Sequence, residues 1–253
     1  MPRERAVPAG WALSTTTRNS TGSRTRWSGT GSLKGNEFGE KAWEITGSLS
    51  ARPIPSIQLS IEPDYLNEKG TGGIFNGPIG RQYLTTINTG GSDATYGRRY
   101  IFGLVDRTTW SMQFRFNYTF KPDVTLDVYM EPFAASGQYR GFGELADPRS
   151  IDLRMYGTDG TTITRLPDGS YTVTDGSSTF SLANRDFNVR SYRSNIVLKW
   201  EWRPGSTLYA VWQQNRASSI PQGDHVGLND LFGSLSAPGD NIFAIKSTFW
   251  ISR

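Results

Sequence analysis

The sequence has no cysteine, which removes disulfides, thiolate metal sites and cysteine nucleophiles. It has a single histidine, His225, beside Asp224 in a stretch that reads as a loop. A metal centre needs several convergent ligands, and none stands at a recognisable spacing, so no metal or other cofactor is expected. Lysine is scarce: 21 of the 27 basic residues are arginine, and the net charge is +4. These charges are scattered rather than gathered into a stripe, so no nucleic-acid partner is expected. Long apolar runs are missing too. Hydrophobic residues make up 36% of the chain and mean hydropathy is -0.48. Nothing approaches the ~18 apolar residues of a membrane helix. The start, MPRERAVPAGW, carries charge but no apolar segment behind it, and so is not a signal peptide.

Low hydropathy does not exclude a membrane protein whose strands alternate, because averaging over a window cancels their signal. Alternation is what the chain has. From Trp110 to Phe120, every even position is apolar or aromatic and every odd position is polar. A period of two is that of a β-strand, whose successive side chains point to opposite faces. The run is longer than the ~5–6 residues usual in soluble strands. It matches the ~9–11 residues that a tilted strand needs to cross a bilayer. Eight Trp, 11 Tyr and 28 Gly suit strands, turns and interfacial rings.

The same pattern recurs along the chain. It is weak from Trp11 and near Arg24–Leu33, and clear over 41–51, 57–62, 98–105, 124–131, 192–202, 207–214 and 241–251, with a further segment at Gln82–Ile87 after a Gly-rich link, about Asn67 to Gly80. Residues 1–9 read as a frayed start. Tight connections at Arg52-Pro53-Ile54-Pro55, Lys121-Pro122-Asp123 and Arg203-Pro204-Gly205-Ser206 fall at one end of the strands. The longest links, 134–186 and 216–240, fall at the other. The first is expected to be a loop insertion with its own hairpin, Thr161–Arg165 and Ser170–Thr174 about Pro167-Asp168-Gly169. The second should hold a short helix, Leu228 to Leu235. Short turns at one end and long loops at the other point to an antiparallel, up-and-down transmembrane β-barrel. About eleven strands are expected. An odd number cannot close antiparallel on itself, so residues 1–253 are expected to be one segment of a larger, N-terminally truncated barrel. The alternative fold is a soluble ligand-binding β-sandwich, in which the same alternation faces a buried core.

On this reading the lipid-facing residues are Trp110, Phe114, Phe116, Leu126, Val128, Ile196, Leu198, Trp200 and Trp202. Polar residues expected to line the lumen are Arg115, Asp127, Glu131, Arg193, Lys199 and Glu201, building either a charged constriction or a salt-bridged filling. Asp127 and Glu131, four residues apart on one strand, lie ~13 Å from each other. That is too far for the carboxylates of a glycosidase, ~5–9.5 Å apart, and pairing with Arg115 or Arg193 across strands is expected instead. No catalytic residue is identified. Tyr139, Tyr156 and Tyr171 could stack on sugars, but packing within the insertion is the favoured expectation.

Three blocks, residues 94–133, 186–212 and 228–250, resemble the C-terminal region of a bacterial family, domain of unknown function 5916. The most specific piece is RSNIVLKWEWRPGS, Arg193 to Ser206. The resemblance spans roughly residues 40–253. It implies a Gram-negative outer-membrane β-barrel following an N-terminal domain similar to family-9 carbohydrate-binding modules, and hence a link to glycans. The partners it implies are outer-membrane lipid, the insertion machinery and possible glycans. The usual insertion signal ends on an aromatic, whereas here Ile251-Ser252-Arg253 follow Trp250. The roles it leaves open are solute passage, surface glycan binding and anchoring, with an accessory β-domain of an exported glycan-active hydrolase as the alternative.

Overall fold

The computed structural model describes residues 10–19, 22, 24–36, 39–71, 81–148 and 153–251. The frayed start, most of the Gly-rich link before Arg81 and the last two residues lie outside them. Eleven strands form one large antiparallel sheet. Its main path runs β1 (Gly10–Arg18), β2 (Thr25–Asn36), β3 (Lys41–Ala51), β4 (Ile57–Thr71), β6 (Arg99–Lys121), β7 (Val124–Leu145), β12 (Phe187–Arg203), β13 (Ser206–Ile220) and β14 (Gly239–Thr248). Two short strands join from the side: β5 (Gln82–Ile87) pairs with β6, and β8 (Leu153–Met155) with β7. A separate three-stranded sheet holds β9 (Thr161–Arg165), β10 (Tyr171–Asp175) and β11 (Ser178–Leu182). One helix, α1 (Leu228–Gly233), continues into a 3₁₀ turn at Ser234–Ser236.

Register sorts the side chains of the large sheet onto two faces. Leu59, Phe116, Val128, Ile196, Trp212 and Phe243 lie in one cross-strand row. Next to it, on the other face, run Gln58, Asn117, Asp127, Val197 and Val211. No second layer covers the apolar face here: Leu198 is 39% exposed, and Trp200, toward the turn end, 45%. Phe114 and Phe116 are only half-buried. The three-stranded sheet packs elsewhere, through Val173 and Leu182 onto Ile101 and Phe142 at the loop end of the polar face. The large sheet is thus one layer thick where a sandwich would have two.

The structure departs from the sequence reading at several points. Strands expected over 98–105 and 110–120 are one strand, β6, of 23 residues. Alternation vanishes at Asp106–Thr109 because both faces are polar there: Arg140 pairs with Asp106 on one side and Glu68 with Arg107 on the other. The insertion expected from 134 begins later, since β7 continues to Leu145. Gly141, at φ 60, takes up a register shift opposite Leu104 that an L side chain would resist. The hairpin at 161–174 is joined by an unforeseen third strand, β11. The last strand ends at Thr248 rather than Ile251.

Among the described residues β1 pairs only with β2 and β14 only with β13, so the sheet has two free edges.

Candidate functional site: the polar face and its cap

The polar residues singled out from sequence do share a face. Arg115, Asp127, Glu131 and Arg193 lie together near mid-sheet, with Tyr129 opposite Arg115 and Glu131 opposite Arg193. Their bonding differs from expectation. Asp127 accepts from the Asn117 amide, and Glu131 accepts from the Tyr129 hydroxyl at 3.0 Å. The Arg115 guanidinium stacks over the Tyr129 ring, 5.2 Å from its centre. Among the described residues neither carboxylate forms an ion pair with Arg115 or Arg193. Tyr129, directly opposite Arg115 and on the same strand as Glu131, serves both, its ring under the guanidinium and its hydroxyl on the carboxylate. A hollow of ≈300 Å³ opens here between Arg115, Asn117, Asp127, Tyr129 and Asn195. Lys199 and Glu201 stand nearer the turn end, where Glu201 accepts from the Gly205 amide at 3.0 Å.

Toward the loop end the polar face closes over. Glu68 is fully buried and bridged by Arg107, while its other carboxylate oxygen has no partner among the described residues. Beyond it sits the cap, built by β8 to β11. Its core is Tyr156, Val173 and Leu182 against Ile101 and Phe142. Tyr139 and Tyr171 pack against that core, so these tyrosines are packing residues rather than a sugar platform.

A box of four charges fixes the cap to the sheet. Arg99 on β6 donates to Glu144 of β7 and to Asp175 of β10, both at 2.8 Å. Arg154 donates to Glu144 at 3.0 Å and to Asp175 at 2.7 Å through each of two nitrogens. The Tyr156 hydroxyl donates to Glu144 at 3.1 Å. The Arg154 bonds hold the Asp175 carboxyl down at about 2, with Arg99 assisting against burial. Burial, with Glu144 beside it, pushes the Tyr156 phenol above its ordinary value, so it remains a donor. The far side of the cap is tied by Arg165 to buried Asp186 at 2.7 Å, whose other oxygen accepts from the Tyr139 amide. Sequence reasoning missed this box, because Arg99 and Asp175 are 76 residues apart. The charged Arg154 and Asp175 flanking a hairpin were the only signal.

Between the hairpin tip and residues 220–224 lies an open cleft of ≈780 Å³. Arg165, Asp168, Asn184, Gln138, Gln222 and Asp224 contribute its polar groups. His225, next to it, accepts or donates a 3.0 Å bond with Thr108.

The model of a domain of unknown function (DUF5916) matches residues 79–252. No curated protein and no solved structure matches the chain.

Proposed function

The chain belongs to the domain of unknown function 5916 family, and we propose that it forms the wall of an outer-membrane β-barrel whose polar face lines a wet passage. The observation that carries the reading is the uncovered apolar face, bounded at both ends by aromatic rings. At one end Trp43, Tyr65 and Trp110 touch in a row, with ring centres 4.6 and 4.4 Å apart. At the other, Tyr118 and Phe120 pack at 4.1 Å, and Trp202 packs against Trp200 and Phe249. Ten residues of strand separate Trp110 from Phe120, ~33 Å along the chain. A tilt of about 40° makes that ~25 Å of height, the band of a transmembrane barrel with its aromatic girdles.

The opposite face supports the other half of the reading. It carries both signs of charge, hydrogen-bonded amides and a hollow large enough for water and small polar solutes. The cap stands on this face at the loop end, where it would narrow the mouth. Nine antiparallel positions leave β1 and β14 running parallel to each other. Antiparallel closure therefore takes an odd number of further strands.

The test is extraction. Cells making the chain with an export signal are fractionated, and the membranes are washed with carbonate and then detergent. Recovery only in detergent, as a β-rich species, is the expected result. Recovery in the wash as a folded soluble protein overturns the proposal.

A second reading concerns surface binding. The cleft at the hairpin tip is lined by amides and carboxylates, which offer both donors and acceptors and so suit a hydroxyl-rich ligand such as a glycan. Glycan-array binding that is lost in Asn184→Ala supports it, and no binding above background ends it.

A further inference from the structure

Lys41 on β3 and Lys69 on β4 stand directly opposite each other, and both are exposed. Like charges placed opposite in a sheet repel, and such pairs are destabilising. Register puts both on the apolar face, immediately beyond the cross-strand pair Trp43 and Asn67, with Tyr65 next below Asn67 on β4. Neither forms an ion pair with a carboxylate among the described residues, although Lys69 lies within electrostatic range of Asp106. Asp106, on the same face of β6, is already held by Arg140 at 2.8 and 3.0 Å and by the Gly70 amide at 2.7 Å. Glu68, beside Lys69 in sequence, is buried on the opposite face with Arg107. Glu40, beside Lys41, is buried and bonded to Asn36. Among the described residues, Lys41, Lys69 and Arg140 against Asp106 leave two positive charges in excess.

The ledge beneath this cluster is aromatic and leads onto bare apolar wall: Trp43 is exposed, Tyr65 is buried under it, and Ile45 follows at 55% exposure. A cationic pair above an aromatic row and an apolar strip matches one ligand shape, an anionic head with hydrocarbon tails. We infer that Lys41 and Lys69 bind the phosphate of a membrane lipid, whose chains lie along Trp43, Ile45 and the wall below. The phosphate would sit between the two ammonium groups and turn their repulsion into attraction. This inference rests on the membrane reading above. It adds to that reading a headgroup class and the two residues that select it.

The test uses the purified chain in phosphatidylcholine bilayers with and without phosphatidic acid, the association of spin-labelled phosphatidic acid being read against spin-labelled phosphatidylcholine. A lysine at the headgroup contributes about fivefold. The Lys41→Gln/Lys69→Gln double variant is therefore expected to lose about 25-fold of the preference for phosphatidic acid, while Lys121→Gln, at the turn end of the sheet, keeps it. In neutral detergent the same double variant should unfold at higher temperature than the parent, because the unneutralised repulsion is gone. Equal preference in parent and double variant overturns the site while leaving the barrel reading intact. Full competition by millimolar inorganic phosphate overturns the lipid in favour of a free anion. Failure of the chain to enter either bilayer removes the membrane reading itself.

Discussion

Asp175 receives both arginines of the box, so it is the residue on which the cap's attachment turns. Replacing it with asparagine leaves Arg99 and Arg154 each bonded to Glu144 but removes the charge-assisted bonds that both make to the Asp175 carboxylate. The expected cost is about 2–3 kcal/mol, the range for hydrogen bonds to a charged group. It should be local: amide exchange in β9 to β11 should speed up while β12 and β13 are unchanged. The box also sets an acid limit. The folded Asp175 carboxyl lies at about 2, below the ~3.9 of an unfolded aspartate. A depressed carboxylate contributes stability above its unfolded value and loses it as pH falls through the folded one. Cap protection should therefore hold at pH 5 and decay from ~4 toward 2, and in Asp175→Asn that decay should be absent. A decay of the same size in the variant would assign the acid sensitivity to another group. Tyr156→Phe removes one bond to Glu144, which Arg99 and Arg154 still satisfy, so about 1 kcal/mol is expected.

At the scale of elements, α1 shows how a short helix can be fixed. Its Asp230 accepts from the Gly227 amide at 2.8 Å, closing the first turn, and from Arg190 of β12 at 2.5 Å. Leu231 and Ser234 are buried against the sheet, while Leu228, Phe232 and Leu235 face outward. Six residues do not hold a helix by themselves. Asp230→Ala should therefore free the segment at a cost of about 1–2 kcal/mol, and limited proteolysis should then cut within 221–238 where the parent resists. The two anchor strands were legible in the sequence because each has one apolar and one polar side, which is what periodicity sees; the helix lies where it was expected in the link, although apolar Leu228, Phe232 and Leu235 face outward. The sequence did not foretell that the strand at 98–105 runs on through Asp106–Thr109 into the next, because Asp106 and Arg107 find partners on opposite faces there. Nor did it foretell β7 beyond Pro132. Ala134, Ala135 and Ser136 are buried in a row, and small residues carry no alternation. The polar-face residues were legible as a set, but their bonding was not. Tyr129 had been read only as a member of its strand, and it takes up the arginine and the carboxylate expected to pair directly.

For the whole molecule, the deciding quantity is which face of the single-layered sheet tolerates charge. On β13 the two faces can be probed three residues apart. Ala210 lies between Leu198 and Ile245 on the apolar face, and Gln213 lies between Asn195 and Ile242 on the polar face. Against hydrocarbon, an arginine costs ~2–4 kcal/mol at mid-bilayer and less toward either interface, whereas a lumen position admits it. Ala210→Arg should therefore lower folding free energy in phosphatidylcholine vesicles, read from urea titration of the tryptophan signal, while Gln213→Arg should leave it within ~0.5 kcal/mol. Were the apolar face instead meant for a second protein layer, Ala210→Arg would abolish folding in detergent and lipid alike. Were it simply wet, the two substitutions would be equivalent. The free edges give the same experiment a second outcome. Phe243 and Ile245 on β14 are 73% and 78% exposed, with unpaired backbone along their outer side. In lipid an open edge is costlier than any one side chain, because nothing there can satisfy its amides. The parent should therefore reach full stability only when both edges are paired, and its urea midpoint should rise with protein concentration if a second copy supplies the missing strands.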